Sequence, residues 1–206
     1  MSRTYLRTSS LLSIGESQMP RKNFLSIIGG CLFALQATGL LAQDTTVATH
    51  VPKSEIMTAL QGITNLPDQQ ARVVDIGGGI NVAIGILHRG ATSTEEGEAI
   101  TTLAHHNITE VYYVISGAGI LVTGGDVESE REVPASTEIV RELVGPSAFR
   151  TVSGGDSTVI SEGDVVVIPA GVAHGFSKVL DHVTYLSIRI DADQVLPAGY
   201  QHPLIE

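Results

Sequence analysis

Four side chains stand out as potential ligands for a metal ion: the adjacent histidines His105 and His106, the carboxylate of Glu110, and His174. Two neutral imidazoles and one carboxylate suit a divalent transition metal, Fe(II), Mn, Ni or Zn, and leave positions open for water, substrate or dioxygen. A lone histidine or glutamate on a strand is more often solvated or internally paired. Here the candidates sit among turn residues at fixed intervals. The stretch HHNITEVYYVISG, residues 105–117, runs from the histidine pair through Glu110 into an aromatic β-prone segment closed by Gly117. A second stretch, GDVVVIPAGVAHGFSK, residues 163–178, runs from Gly163 through Pro169 and Gly171 to His174.

Which histidine of the pair is the ligand depends on local geometry. Neighbours on a strand face opposite ways, so unbroken alternation puts His106 on the face of Glu110 and His105 on the other. A turn or bulge within Asn107–Thr109 would break that parity and favour His105 instead.

These spacings resemble those of the cupin superfamily, whose first motif reads G(x)5HxH(x)3–4E(x)6G and whose second reads G(x)5PxG(x)2H(x)3N. The resemblance covers most of residues 69–190, and Gly163, Pro169, Gly171 and His174 all match the second motif. The chain departs from the pattern at two places: Leu103 or Ala104 stands at the first histidine, depending on the spacing, and Lys178 replaces the final asparagine. The resemblance thus implies three ligands: one histidine of the pair, Glu110 and His174. Its four-residue-spacer form aligns His105 with the second family histidine, which favours His105 and leaves His106 as an alternative or outer partner. It also implies a homodimer, paired through an edge strand or the N-terminal segment.

Other residues could complete a site. Tyr112 shares a strand face with Glu110 and is the candidate catalytic side chain, offering a phenol to a bound ligand; a core aromatic is the competing reading. Phe176 has the parity of His174 and could wall a cavity. His88 and Arg189 fall on β-prone runs, where a strand-edge or surface position is the default, and His50, His182 and His202 carry no motif. The favoured function is a metal-dependent enzyme of dioxygenase-like type acting on a small organic molecule. A non-catalytic ligand- or metal-binding module is the first alternative. An isomerase or epimerase is the second, and it needs a general base for which His88 is the candidate.

The elements that must hold these residues read as all-β. From Ala71 onward, short apolar runs such as INVAIGILHRG, AGILVTGG and DVVVIPAG are broken by glycine, the pattern of a single jelly-roll barrel spanning residues 69–192. Residues 43–68 hold one short helix, with Ser54 as its expected cap, Glu55 in its first turn and Gly62 as its stop. Residues 193–206 form a tail. The acidic stretch from Gly124 to Asp156 lacks periodicity and reads as a long excursion between hairpins.

Composition limits the partners. Twelve basic against 22 acidic residues give a formal charge of −10, which repels phosphate backbones and argues against nucleic acid. Arg21 and Lys22 precede an apolar stretch from Phe24 to Leu41 that ends in small Ala42, a signal-peptide profile with Met19 as its natural start. An uncleaved anchor and lipidation at Cys31 are weaker readings. Cleavage near residue 42 predicts a periplasmic or secreted protein with no lasting membrane contact. It also removes Cys31, the one cysteine, and with it any thiolate chemistry.

Overall fold

The structure, a computed structural model, describes residues 45–63 and 66–206. Met19, Cys31, the apolar segment and the cleavage point near residue 42 lie outside the described residues. Among the described residues, no helix is long and apolar enough to cross a membrane.

Helix α1 (Lys53–Leu60) leads into strands β1 (Asp68–Asp75), β2 (Asn81–Ser93), β3 (Ile100–His105), β4 (Ile108–Thr123) and β5 (Asp126–Glu132). A π-helical turn (Ile139–Leu143) precedes β6 (Ser147–Ser153), β7 (Asp156–Ser161), β8 (Val165–Ile168) and β9 (His174–Asp191). All strand pairs are antiparallel. The long β9 runs between β2 and β4, while β4 carries β8 and then β7 on its other side. The order β1-β2-β9-β3-β6-β5 completes an all-β jelly-roll barrel.

Glycine makes the tight places. Gly117, at φ +77°, lies so close to the His182 carbonyl that a Cβ would come within 2.0 Å of it, so only glycine fits where β4 shifts register against β9. The barrel interior is filled by Leu87, Tyr112, Val114, Leu121, Val183 and Tyr185 with their neighbours. A second cluster, built on Ala59, Ala71, Ile86 and Ile205, seals α1 and the C-terminal tail onto the outside of β1 and β2.

Two local expectations are corrected. Ser54 lies inside α1; Pro52 takes the cap position without a side-chain bond, and Glu55 anchors the helix through Arg72 Nε at 2.5 Å. The stretch from Gly124 to Asp156 is not a loose excursion, because β5 pairs with β6 and β6 pairs with β3. Every residue of β5 is exposed, so it has no apolar face whose alternation could announce it.

Candidate metal centre

Two turns bring the motifs together. β3 ends at His105, a bend follows at His106 and Asn107, and β4 begins at Ile108. His105 and Glu110 therefore belong to different strands, and single-strand parity does not govern them. The Pro169–Gly171 turn after β8 is tied to the first motif by Gly171 N–H donating to the His105 carbonyl at 2.7 Å. Gly171, at φ +80°, makes this turn in a conformation that suits glycine. Three residues later His174 opens β9 opposite Leu103.

The result is a buried triangle. His105 Nε2 lies 3.2 Å and His174 Nε2 3.1 Å from the same oxygen, Glu110 Oε2. The three residues are 3%, 7% and 1% exposed. Their candidate donor atoms all lie within 4.8 Å of one another.

Outer hydrogen bonds decide which imidazole nitrogen faces the centre. His174 Nδ1 is 3.0 Å from the Val172 carbonyl, which can only accept, so Nδ1 carries the proton. His105 Nδ1 is 2.9 Å from Ser147 Oγ, whose own proton goes to the Gly145 carbonyl, so Nδ1 again donates. Both rings thus turn Nε2 toward Glu110. An imidazole nitrogen facing a carboxylate oxygen is favourable only with a cation between them, either a proton or a metal ion.

Burial holds His105 below its ordinary pKa. Burial also works against the Glu110 carboxylate, but His105 and His174 overcome it and keep the carboxyl well below its usual range. An ionised carboxylate beside a His105 ring held neutral by burial is the protonation state a divalent metal needs, so the donor set fits one.

Glu110 is held from several sides. Oε1 accepts from Ser187 Oγ at 2.5 Å and from Arg189 Nε at 3.2 Å, and Oε2 accepts from the Tyr112 hydroxyl at 3.0 Å. Arg189 is fully buried and also pairs with Asp68 and Gln70, which corrects the surface position expected for it. Gly85 makes room for it, since a Cβ there would fall 2.7 Å from the guanidinium. Burial pushes the Tyr112 phenol well above its ordinary pKa, so it stays a hydrogen-bond donor to Glu110.

The remaining candidates fall elsewhere. His106 is exposed and bonds Glu132 at 3.0 Å; the structure does not bring it to the cluster. His88 is exposed at the cavity lining, where it bonds Thr184 Oγ1 and stacks on His182, and no hydrogen bond joins it to the cluster. Phe176 packs against Tyr185 and lines the cavity beside the cluster. That cavity measures about 560 Å3, and its wall includes Glu110, Tyr112, Arg89, Asp68, Leu143 and Phe149.

Comparisons with known proteins found several distant likenesses. Among solved structures, BH2720 from Bacillus halodurans is 13% identical with a TM-score of 0.40, over 75% of this chain and 89% of that one. Ectoine synthase from P. lautus is 15% identical with a TM-score of 0.39, over 74% and 80% of the two chains. Rru_A2000 from Rhodospirillum rubrum, a cupin-2 domain, is 14% identical with a TM-score of 0.34, over 62% and 61%. A search of curated proteins found no match. A family model described as cupin matches residues 90–195, about half of the chain and both motifs, and the chain belongs to that family.

Proposed function

We propose that this barrel is a metal-dependent enzyme of dioxygenase-like type that acts on a small organic molecule. The observation that carries the reading is the pair of Nε2 atoms meeting Glu110 Oε2 on the wall of a cavity of about 560 Å3. Such a volume suits a small ligand. His105, Glu110 and His174 would hold the ion, which when bound supplies Lewis acidity and, if redox-active, electrons for dioxygen chemistry.

The chain's own residues prepare the site. Ser147 and the Val172 carbonyl fix the two ring orientations, as outer partners of metal-ligating histidines do. Tyr112, Ser187 and Arg189 hold the carboxylate in place. Leu87, Tyr112 and Phe176 give the cavity apolar surface that limits water around a bound substrate. The test is oxygen uptake by metal-loaded protein on a panel of phenols, thiols and small acids. Metal-dependent uptake supports the reading. Tight ligand binding without turnover would replace it with a binding module.

The proposal extends to export and to pairing of two chains. The Arg21–Lys22 start and the apolar run to Leu41 support export. On the outer face, Val165 sits opposite Tyr113 and Val167 opposite Val111, with Val165 60% and Val167 62% exposed. Val111 continues this apolar strip to Ile188 on β9. The homodimer is implied by the cupin resemblance, and this exposed apolar strip on the edge strand β8 is the face proposed to pair two copies. Light scattering should find a dimer that Val167→Lys weakens; a monomeric wild-type protein would contradict the pairing.

A further inference from the structure

Arg89 is a cation on the cavity wall that makes no ion pair among the described residues. By alternation along β2 it points inward with Gly85 and Leu87, and its register partner is Val183 on β9. Its Nε donates to the Tyr185 hydroxyl at 2.9 Å, and its guanidinium lies 5.6 Å from the centre of the Phe176 ring. Both contacts are with neutral groups. They fix the plane of the head group and use one of its five N–H donors.

The nearby carboxylates are committed elsewhere. Arg189 takes Glu110 Oε1 through Nε at 3.2 Å and Asp68 Oδ2 through Nη2 at 2.5 Å. Asp68 Oδ1 is buried with no hydrogen-bond partner, so the charge of this carboxylate acts on Arg89 but no hydrogen bond joins the two. Arg189, buried outside the cavity lining, is thus paired twice, while Arg89 on the wall makes no ion pair among the described residues. A recessed cation that lacks an anion is costly unless something supplies one. With a divalent ion at Glu110, positive charge on the wall exceeds negative, although the chain as a whole carries −10. A small anion able to enter the cavity fits that local field, while a large polyanion meets the repulsion of the outer surface.

We propose that the cavity binds a small organic carboxylate whose charged end is received by the fork of Arg89. Guanidinium and carboxylate match in two parallel hydrogen bonds, which orients the ligand as well as holding it. The path from Arg89 to the cluster is short and rigid. Tyr185 bonds Arg89 and packs on Tyr112 with ring centres 4.4 Å apart, and Tyr112 bonds Glu110 at 3.0 Å. A carboxylate seated on Arg89 therefore directs its neighbouring carbons along Tyr112 toward the metal-binding triangle. This ligand class rests on the metal reading for its orientation and for the excess of positive charge on the wall, whereas the hydrogen-bonding fork of Arg89 is present without it.

The test is calorimetric titration of the purified protein, its metal content measured beforehand, with acetate, propionate and benzoate and with their neutral amides. Carboxylates should bind and amides should not. Arg89→Gln should weaken carboxylate binding about 10- to 100-fold, the worth of losing charge-assisted hydrogen bonds, and Arg89→Lys should restore part of it. Metal content should be unchanged in both variants, which separates this proposal from the metal reading. Equal binding of acids and amides, unchanged affinity in Arg89→Gln, or no carboxylate binding by the wild-type protein up to about 50 mM, weaker than ligand sites of ordinary affinity, would overturn it. If Arg89→Gln fails to fold, Arg89→Lys carries the comparison: its affinity for benzoate should fall while that for benzamide stays absent.

Discussion

The barrel carries two histidine pairs, and they differ in almost every physical respect. His105 and His174 are buried, meet edge-on with ring centres 5.0 Å apart, and share one carboxylate oxygen. His88 and His182 stack 5.7 Å apart; His88 leans on Thr184 and His182 on the exposed Asp181. Proximity is common to both pairs. What sets the first apart is a buried carboxylate between the rings and an acceptor behind each ring that aims Nε2 inward. Those two features make a ligand site, and each can be removed separately.

The largest effect should come from Glu110. Glu110→Ala removes the shared anion and leaves Arg189 short of a partner in a fully buried position, costing about 3–5 kcal/mol as broken buried pairs do. Urea unfolding reads the loss, and metal content should fall with it. His105→Ala and His174→Ala should each lower metal occupancy sharply. His106→Ala should leave it unchanged, because that ring turns to Glu132. Equal losses in His105→Ala and His106→Ala would undo the contrast between buried and exposed rings.

A smaller change tests the outer shell. Ser147→Ala keeps all three ligands but removes the acceptor behind His105, and should weaken metal affinity about 10- to 100-fold. At the other pair, His182→Ala should shift stability by no more than about 0.5 kcal/mol, as surface substitutions do, and should not touch metal content.

Acid sensitivity extends the comparison to His202, a buried histidine away from both pairs. Its Nε2 bonds Gln69 and its Nδ1 accepts from Leu204 N–H, so the neutral ring is fully satisfied, and burial lowers its pKa. The unfolded chain therefore takes up this proton first. Stability from His202 is intact above the unfolded value near 6.5 and declines as pH falls below it toward the lowered folded value. Urea midpoints measured from pH 7.5 downward should fall less steeply in His202→Asn than in wild type.

Much of this architecture was legible beforehand, and the parts that were not have physical causes. Glycine turns and short apolar runs marked the barrel, and Gly163, Pro169, Gly171 and His174 marked the second half of the site. Strand parity alone points to His106, because it overlooks the bend that separates His105 from the strand of Glu110, whereas the motif spacing favours His105. Arg189 was hidden by an inverted pattern. On β9, Ser187, Arg189 and Asp191 are 0% exposed, while Leu186, Ile188 and Ile190 face partly outward. A reading that sends apolar residues inward assigns such a strand the wrong way round. The signal available was the strict polar alternation of SIRID itself, in phase with Glu110 and Tyr112 on the neighbouring strand. Arg89 was obscured in the same way, a charged residue on the inner face of β2.

The metal content of untagged protein purified without chelators tests the His105–Glu110–His174 centre most directly. Elemental analysis should find about one transition-metal ion per chain, as a three-ligand centre requires, and Glu110→Gln prepared alongside should hold far less. A wild-type barrel that is folded and stable yet free of metal, and that takes up none of Fe(II), Mn, Ni or Zn when supplied, would contradict it.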